Sequence, residues 1–532
     1  MTEDAIRALA GQAGVEVDWI DASGRPQRVS SHAIARVLAG LGYPCTSPTE
    51  LADSRERARS RTGQLPPLIT ATVNTPSIVP LADAPKSPVA ELEFEGGGCE
   101  SLTLRQCDAG LELPGIARAG YHRLRFGEKE VSLAIAPQRC VTLAEKTMGR
   151  KAWGIAVQLY GLSRDGDGGI GDTTALRSFL KGAAGRGADA IALSPTHSLF
   201  TADGTRYSPY SPSNRLFLNP LYADPADALP GIRVSGEMEM KGASLIDWPR
   251  TSAAKFASLR AVFDQVCEGP LPDFDKFVDA GGQRLREHAL FEALQAHLID
   301  RTSADWRKWP TAWKSAGGEA VSTFTRQSTH EIRYRLFLQW LADRSFARAR
   351  SEAASHGMRI GLIADMAVGM DAAGSHAWSR PSDLLTDLSI GAPPDINMPR
   401  GQDWGLAGFS PTALVDCGFE PFIATIRAAL RFASGARIDH AMGLMRLWLI
   451  PTDSSAAEGA FVRYPFEDML RLLALESHRH SAVIVAEDLG TVTPAFRQRL
   501  CDSGIDGMDV LWFQRDAEKF LPRHLGVRMP WR

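Results

Sequence analysis

The sequence predicts an α/β fold: a (β/α)₈ barrel of the TIM type, preceded by a small helical segment and a β-sandwich-like domain. The first observation behind this prediction is an alternation of apolar strand-like runs with helical segments that begins at Trp153. Such alternation is typical of a parallel sheet whose strands are joined by crossover helices. The second observation is that polar residues follow the carboxyl ends of these strands, where barrel enzymes carry their active sites.

Composition and charge narrow the function classes. The chain has 532 residues, of which 44% are hydrophobic and 23% charged, with a formal net charge of −3. This charge gives no electrostatic reason to expect nucleic acid or an anionic membrane as a partner. No apolar run reaches membrane-spanning length, and the first residues lack the pattern of a signal peptide. Seven scattered cysteines without a CxxC pair argue against a disulfide framework and a zinc site. We therefore expect a cytoplasmic protein.

Three regions differ in their pattern along the chain. Residues 1–66 are predicted to form an N-terminal helical segment. Residues 67–140 are predicted to form a small antiparallel β domain, because short alternating segments are separated there by Gly and Pro. Residues 150–532 are predicted to form the catalytic barrel, with a helical insertion at about 225–350. The pattern also predicts helices at Gln283–Leu298 and Phe466–His480 and a strand at Ala482–Glu487, and the last strand that it supports is Met508–Phe513.

Two short runs near the end of the chain carry the functional signal. Arg437 and Asp439 are two residues apart, so on a strand they point to the same face, and the guanidinium would lower the pKa of the Asp439 carboxyl. Glu487 follows the apolar run 482–486, where partial burial would raise the pKa of its carboxyl. Alone, either run is typical of a surface ion pair or a solvated carboxylate. At successive strand ends, one charged and one protonable carboxyl match the pair that retaining glycosidic chemistry requires.

From Trp153 onward the motifs resemble, in order, those of the 4-α-glucanotransferases, also called amylomaltases or disproportionating enzymes, which are retaining barrel enzymes of the α-amylase clan. The resemblance covers roughly residues 150–520, and the first 150 residues resemble the N-terminal extension of the longer bacterial branch. The matching segments are Trp153–Tyr160, Gly169–Asp172, Tyr207–Ser213, Leu218–Tyr222, Gly361–Gly369, Gly391–Asp395, Gly401–Gly405, Ala436–His440 and Ala486–Gly490.

This resemblance implies a reaction and a set of residues that perform it. Asp439 would be the nucleophile and Glu487 the general acid/base, with Arg437 holding Asp439 ionised and oriented. Segments of α-1,4-glucan (maltodextrin, starch or glycogen) would pass to glucose or a maltooligosaccharide by double displacement, without a metal or organic cofactor. Trp404 and Tyr210 would stack on sugar faces and keep the site dry. The implied substrate-binding residues are Asp365, Ser208, Tyr210, Gln402, Trp404 and His440.

The chain departs from the family's pattern at its end. The family carries a third carboxylate in a His-Asp pair beyond the strand after Glu487, and that pair is not found here. After Phe513 the sequence runs only to Arg532, too few residues for two further strands, and the residues from His524 onward fit a shifted reading frame. This shifted frame is a hypothesis from back-translation, and resequencing the gene past this point would test it. We expect a barrel whose last strands are missing, and little or no transferase activity from these 532 residues.

Two alternative functions stay open. One is an α-glucan hydrolase of the same clan, and the other is a truncated, inactive glucan-binding protein. A third motif, residues 164–172, resembles half of a calcium loop, but the glutamate that such a loop requires at its twelfth position is replaced by Leu176. A glycine-rich turn capped by Asp172 is the interpretation that we favour.

Two further features admit both a structural and a functional interpretation. His197 follows the second barrel strand, where it could touch substrate or make a structural hydrogen bond. Three tryptophans lie at roughly helical spacing, which favours packing on a helix face over a secondary glucan site. They are Trp306, Trp309 and Trp313.

Overall fold

The computed structural model describes residues 2–21, 24–61, 63–80, 89–108, 110–232, 234, 245–267, 269–395, 398–490, 492–513, 515–516 and 519–520. Backbone proximity divides the chain into two compact units. The first unit comprises residues 1–145, 382–427 and 438–532, and the second comprises residues 146–381 and 428–437. The residues from His524 onward, on which the shifted reading frame was predicted, lie outside the described residues.

The described part of residues 2–66 contains helices and short strands. The elements are α1 Glu3–Gln12, β1 Val15–Glu16, β2 Asp18–Ile20, β3 Pro26–Arg28, α2 Ser31–Gly40 and α3 Pro48–Ser60. Ser30 caps α2 by accepting a hydrogen bond from the N–H of Ala33, and Ser47 forms a capping box with Glu50 at α3. The prediction of a helical segment missed the three strands, because each has only two or three residues and shows no alternating pattern of useful length.

The described residues between 68 and 136 form two β-sheets. The strands are β4 Leu68–Thr72, β5 Ser77–Pro80, β6 Val89–Glu93, β7 Cys99–Thr103, β8 Arg105–Cys107, β9 Gly110–Leu113, β10 Gly120–Phe126 and β11 Lys129–Ala136. Their orders are β4-β11-β10-β6-β7 and β5-β9-β8. Alternate side chains, such as Leu124 and Phe126, enter one apolar cluster that both sheets share. Because β4 pairs with β11 in parallel, the larger sheet is mixed.

The elements that follow alternate between strands and helices, as the sequence predicts. Up to residue 380 they are α4 Leu143–Thr147, β12 Gly154–Val157, α5 Thr173–Ala184, β13 Ala190–Leu193, β14 His197–Ser198, β15 Asn214–Leu218, α6 Pro225–Ala228, α7 Trp248–Val266, α8 Pro272–Leu298, α9 Glu319–Gln327, α10 Thr329–Ser355, β16 Gly361–Met366 and α11 Ser375–Ser379. The helical insertion thus contains α6 to α10. Within α8, Gly282 has a φ of +58° and breaks the helix just before the predicted start at Gln283.

The remaining elements complete the chain. They are β17 Leu388–Ala392, β18 Gln402–Leu406, α12 Pro411–Asp416, α13 Glu420–Leu430, β19 Gly435–Ile438, β20 Arg446–Pro451, β21 Ala460–Arg463, α14 Phe466–His480, β22 Val483–Ala486, α15 Pro494–Asp502, β23 Arg515–Asp516 and β24 Lys519–Phe520. Short 3₁₀ helices occur at Leu159–Gly161, Pro220–Tyr222, Trp306–Lys308, Thr311–Trp313, Pro381–Asp383, Ala441–Leu444, Ala456–Glu458 and Leu511–Phe513.

In the second unit, β12, β13 and β16 lie side by side in parallel. Gly154 is opposite Ala190, and Ala190 is in turn opposite Gly361. The N–H of Ser434, just before β19, donates to the carbonyl of Leu362 in β16 at 2.9 Å. Every residue of β16 is buried. Consecutive parallel strands with helices between them are the pattern that the alternation in the sequence indicates.

In the first unit, an antiparallel sheet of order β1-β21-β20-β17-β18 was not predicted. It joins the N-terminal segment to later strands, since Val15 pairs with Val462.

The predicted strand Met508–Phe513 is wrong: residues 507–510 are irregular and residues 511–513 form a 3₁₀ turn. The parallel partner of β22 lies earlier in the chain than the predicted strand, because Asp506 forms an isolated parallel β-bridge with Val485. Leu511 is 67% exposed, so this apolar run does not enter the core.

Candidate active site

Glu487 is the first residue after β22, whose four residues are all buried. Its N–H donates to the carbonyl of Ile438, and its carbonyl accepts from the N–H of Ala441, each at 2.9 Å. These two bonds align Glu487 with the chain that leaves β19. A buried apolar strand ending in a half-buried carboxylate is the arrangement that the sequence predicted at this position.

Asp439 is half-buried and is the first residue after β19. The next residue, His440, takes a left-handed conformation with φ +47° and ψ +59°, and it turns the chain into the 3₁₀ helix Ala441–Leu444. Because of this turn, the N–H of His440 donates to Glu487 Oε2 at 2.9 Å. The other carboxylate oxygen of Glu487 accepts from the N–H of Leu489 at 2.9 Å. The two predicted catalytic carboxylates are therefore held at neighbouring strand ends.

Three of the predicted substrate-binding side chains continue from this pair within the first unit. Gln402 and Trp404 lie two residues apart on β18, so they share one face of the strand. Trp404 Nε1 donates to Gln402 Oε1 at 3.3 Å. The Trp404 ring also meets the His440 ring edge-on, with centroids 5.0 Å apart and an interplanar angle of 83°. Burial lowers the pKa of His440, and Asp439 opposes this lowering. The imidazole is consequently uncharged at neutral pH.

A second group of predicted residues meets within the second unit. Asp365, near the end of β16, is only 5% exposed. Its Oδ1 accepts from Arg437 Nη1 at 2.6 Å, and its Oδ2 accepts from Tyr210 Oη at 2.9 Å. A buried carboxylate held by a guanidinium and a phenol is fixed in position.

The ion pair between Arg437 and Asp365 is a contact that the sequence reasoning missed. It assigned Arg437 to Asp439, and that role stays a prediction. The signal that could have found the pair is the position of both residues near the carboxyl ends of their strands. Ser208 is exposed and lies two residues before Tyr210, and its predicted contact with sugar also stays a prediction.

The glycine-rich turn at residues 164–172 has the predicted cap. Asp172 accepts from the N–H of Ala175 at 2.9 Å and so caps α5. Nζ of the buried Lys255 donates to the carbonyls of Asp167 and Ile170, each at 3.2 Å. The Lys255 amine therefore faces this loop, and burial lowers its pKa. Among the residues that the structure describes, no group of three or more His, Cys, Asp or Glu side chains is arranged to hold a metal ion.

The structural interpretations of His197 and of the tryptophan cluster are the ones that the contacts support. Burial lowers the pKa of His197 to about 3, so its ring is neutral, and Nε2 accepts a long hydrogen bond of 3.4 Å from the N–H of Ala367. Trp309 is 2% exposed inside an apolar cluster, against which Trp306 and Trp313 also pack. The prediction of packing is thereby confirmed, but the predicted helix face is wrong, because Trp306 and Trp313 lie in two separate 3₁₀ turns and Trp309 lies between them.

Parallel strands with paired carboxylates at their ends are features of carbohydrate-active barrel enzymes. Comparison with known proteins agrees with this class. The sequence model of glycoside hydrolase family 77, described as 4-alpha-glucanotransferase, matches residues 157–528. The 4-alpha-glucanotransferase of Mycobacterium tuberculosis H37Rv is 32% identical, over 96% of this chain and 75% of that protein. That of Haemophilus influenzae is 31% identical, over 77% of this chain and 62% of that protein. The chain belongs to the 4-alpha-glucanotransferase family.

Solved structures support the fold. The crystal structure of amylomaltase from Corynebacterium glutamicum superposes with a TM-score of 0.84 at 27% identity, covering 99% of this chain and 78% of that one. Amylomaltase from Streptococcus agalactiae in complex with acarbose, at 19% identity and a TM-score of 0.61, covers 69% of this chain and 74% of its own and shows the fold alone. The predicted barrel class, family and enzyme class are thus confirmed, whereas the absence of the last strands stays a prediction.

Proposed function

We propose that this protein transfers segments of α-1,4-glucan to glucose or a maltooligosaccharide by a retaining double displacement. The observation that carries the proposal is the hydrogen bond from His440 N–H to Glu487 Oε2, because it brings the residue next to Asp439 onto the Glu487 carboxylate. Membership of the 4-alpha-glucanotransferase family supplies the substrate class.

In the first displacement, Asp439 attacks the anomeric carbon while Glu487 protonates the departing glycosidic oxygen. The bond from the sugar carbon to that oxygen breaks, and an ester to Asp439 forms. The hydrogen bonds from His440 and Leu489 hold the Glu487 carboxyl in one orientation. An acid that is already oriented loses little entropy when it transfers its proton.

In the second displacement, Glu487 removes the proton of the 4-hydroxyl of an incoming sugar, and that oxygen displaces Asp439. The new linkage has the original α configuration, because two inversions restore it. Water competes for the same intermediate. We assign Trp404 and Tyr210 the role of favouring the sugar, because aromatic surface holds the apolar face of a pyranose and excludes water.

The remaining predicted residues are assigned to binding. Gln402 and His440 adjoin Trp404 in the first unit, and in the second unit Asp365, Tyr210 and the nearby Ser208 present hydroxyl and carboxylate groups for sugar hydroxyls. Arg437 fixes Asp365 and is proposed to orient Asp439 as well. We further propose a cytoplasmic location, and no described helix is long and apolar enough to span a bilayer.

Incubation of the 532-residue protein with maltotriose tests this proposal, and a robust product ladder would also overturn the expectation, drawn from the missing third carboxylate, that these residues have little or no transferase activity. Transfer produces a ladder of longer and shorter oligosaccharides with no net gain of reducing ends. A hydrolase of the same clan would yield only shorter sugars together with new reducing ends. Maltodextrin binding without any product would favour the third reading, an inactive glucan-binding protein, and would contradict the proposed transfer.

A further inference from the structure

A cavity of about 590 Å³ in the first unit is separate from the residues assigned above. It is lined by the β2–β3 hairpin and the start of α2, by Pro394, Asp395 and Pro399, and by the turn Ala457–Gly459. None of the nine predicted site residues contributes to its lining. The volume falls within the range of sites that hold small organic ligands.

Two tryptophans line this cavity. Trp19, in β2, is half-buried, and its ring centroid lies 5.3 Å from that of the nearly fully buried Trp448, at an interplanar angle of 61°. Trp19 also meets Phe461 edge-on at 5.7 Å. These contacts hold the Trp19 indole in place while part of it stays accessible. A rigid indole surface suits a sugar ring, because the C–H face of a pyranose packs against it with little loss of side-chain entropy.

The charged side chains that line the cavity are two arginines and three carboxylates. Asp21 accepts hydrogen bonds from Arg25 Nε at 3.1 Å and from Gln27 Nε2 at 2.9 Å. With positive charge not in excess, an anionic ligand such as a phosphate is disfavoured, whereas neutral hydroxyls can share these donors and acceptors. The charged residues of the lining are Arg25, Arg28, Asp21, Asp395 and Glu458.

The chain that lines the cavity leads directly into β18. Pro399 is three residues before Gln402, where β18 begins, and β18 also carries Trp404. We propose that this cavity is a second binding site for a neutral oligosaccharide, a segment of α-1,4-glucan, distinct from the catalytic residues. The choice of α-glucan rests on the proposed function, whereas the choice of a neutral oligosaccharide rests on the lining alone.

A variant that fills the cavity from its rim tests the proposal. Ala457 is exposed, so Ala457→Trp adds bulk without replacing a buried side chain. The substitution is made in a Glu487→Gln protein, which prevents turnover, and maltoheptaose is titrated by calorimetry. The matched control is Ala52→Trp, also at an exposed alanine but on α3 and outside the lining. We expect two binding events with Glu487→Gln alone and with the control, and loss of one event, or affinity weakened about tenfold or more, with Ala457→Trp.

A single binding event in the Glu487→Gln protein, or two events that Ala457→Trp leaves unchanged, would overturn the second site. The maltotriose ladder decides separately whether the proposed function fails. A ladder with only one binding event removes the second site alone, and two events without a ladder remove the transfer reaction alone.

A measurement without any change to the cavity keeps the test independent of how Ala457→Trp folds. Hydrogen exchange of the Glu487→Gln protein is compared with and without saturating maltoheptaose. Peptides covering residues 24–30 and 455–460 should exchange more slowly with the sugar, because a bound ligand stabilises the native state where it contacts it. Unchanged exchange in both peptides would contradict the proposal.

Discussion

At the scale of single residues, the two carboxylates differ in how the chain holds them. Both oxygens of Glu487 accept backbone N–H groups, from His440 and Leu489. Asp439 lies one residue before the left-handed turn at His440, so the backbone of β19 sets the direction of its side chain. The proposed acid/base gives a proton in the first displacement and removes one in the second. The proposed nucleophile forms an ester and then loses it, so both roles require side chains held in fixed positions.

Replacement of Asp439, the proposed nucleophile, should abolish transfer. Asp439→Asn removes the anion that forms the ester, and the rate of the maltotriose reaction should fall by roughly three orders of magnitude or more relative to the parent protein. The control is Asp453→Asn, at an exposed turn where φ is +63° and asparagine is well tolerated. A rate for Asp439→Asn within a few-fold of the control would exclude Asp439 as the nucleophile.

Removal of the indole on β18 should shift the balance between transfer and hydrolysis. Trp404→Ala should raise KM for maltotriose roughly tenfold, equivalent to about 1.4 kcal/mol, and should increase the share of hydrolysis. Trp404→Phe, which keeps an aromatic surface but loses the bond to Gln402, should lie between the parent and Trp404→Ala. Equal hydrolysis in all three proteins, measured as reducing ends per transfer product, would show that Trp404 does not exclude water.

The sequence located Asp439 and Glu487 because each ends an apolar run, which is a local signal. It did not locate the bonds between Asp365, Arg437 and Tyr210, because these residues are far apart in sequence, and a position near a strand end does not by itself give the order of the strands. Contacts across a sheet depend on topology, which residue spacing does not encode.

At the scale of elements, β22 is completed by a partner that the sequence misplaced. The N–H of Ala486 donates to the carbonyl of Asp506 at 2.7 Å, and the N–H of Asp506 donates to the carbonyl of Ile484 at 3.2 Å. Burial raises the pKa of Asp506 from 3.8 to about 6. A carboxyl that is easier to protonate in the folded protein makes stability depend on pH.

The sign of this pH dependence follows from the state, folded or unfolded, in which Asp506 loses its proton at the lower pH. Between about pH 4 and pH 6 the unfolded chain has lost the proton of Asp506 and the folded chain has kept it, so stability falls as pH rises. The contribution is up to about 3 kcal/mol and is constant above pH 6. Asp506→Asn should be more stable than the parent at pH 7 and nearly equal to it at pH 4, measured by urea denaturation. An equal difference at both pH values would contradict a buried, protonated Asp506.

The strand and helix pattern was predicted best where elements are long or wholly apolar. Helix α14 lies at the predicted residues Phe466–His480, and β22 is shorter than predicted by a residue at each end. The sheet that contains β17, β18, β20 and β21 was not foreseen, because these strands have only four to six residues, and short apolar runs inside connections do not identify strands. The error at Met508–Phe513 has a related cause, since the apolar side chains of Leu511 and Trp512 are exposed there.

At the scale of the whole molecule, the N-terminal part is integrated with α14 of the first unit. Glu476 of α14 is fully buried and accepts from Arg427 at 3.0 and 2.7 Å, and from Tyr121 Oη at 2.7 Å. Val15 likewise pairs with Val462. A unit that is assembled from segments distant in sequence cannot be predicted from local residue patterns. The predicted domain boundaries at residues 66 and 140 stay a prediction.

Removal of the arginine that binds the buried Glu476 should destabilise the first unit. Arg427→Met removes a guanidinium that is 45% exposed and leaves the fully buried Glu476 with Tyr121 and His480 as partners, which should cost about 1.5–3 kcal/mol in the free energy of unfolding. The control is Arg479→Met, which breaks a half-exposed pair with Glu95 and should cost about 1 kcal/mol or less. Similar denaturation midpoints for the two variants would show that Glu476 is not held as a buried ion.

The measurement that tests the central claim most directly is capture of the covalent intermediate. Glu487→Gln protein is mixed with an α-maltosyl fluoride, whose leaving group departs without an acid, and is then analysed by mass spectrometry. We expect a mass increase of one glycosyl group, on the peptide that contains Asp439, because the second displacement lacks its base. No adduct, or an adduct on a peptide without Asp439, would contradict the assignment of nucleophile and acid/base.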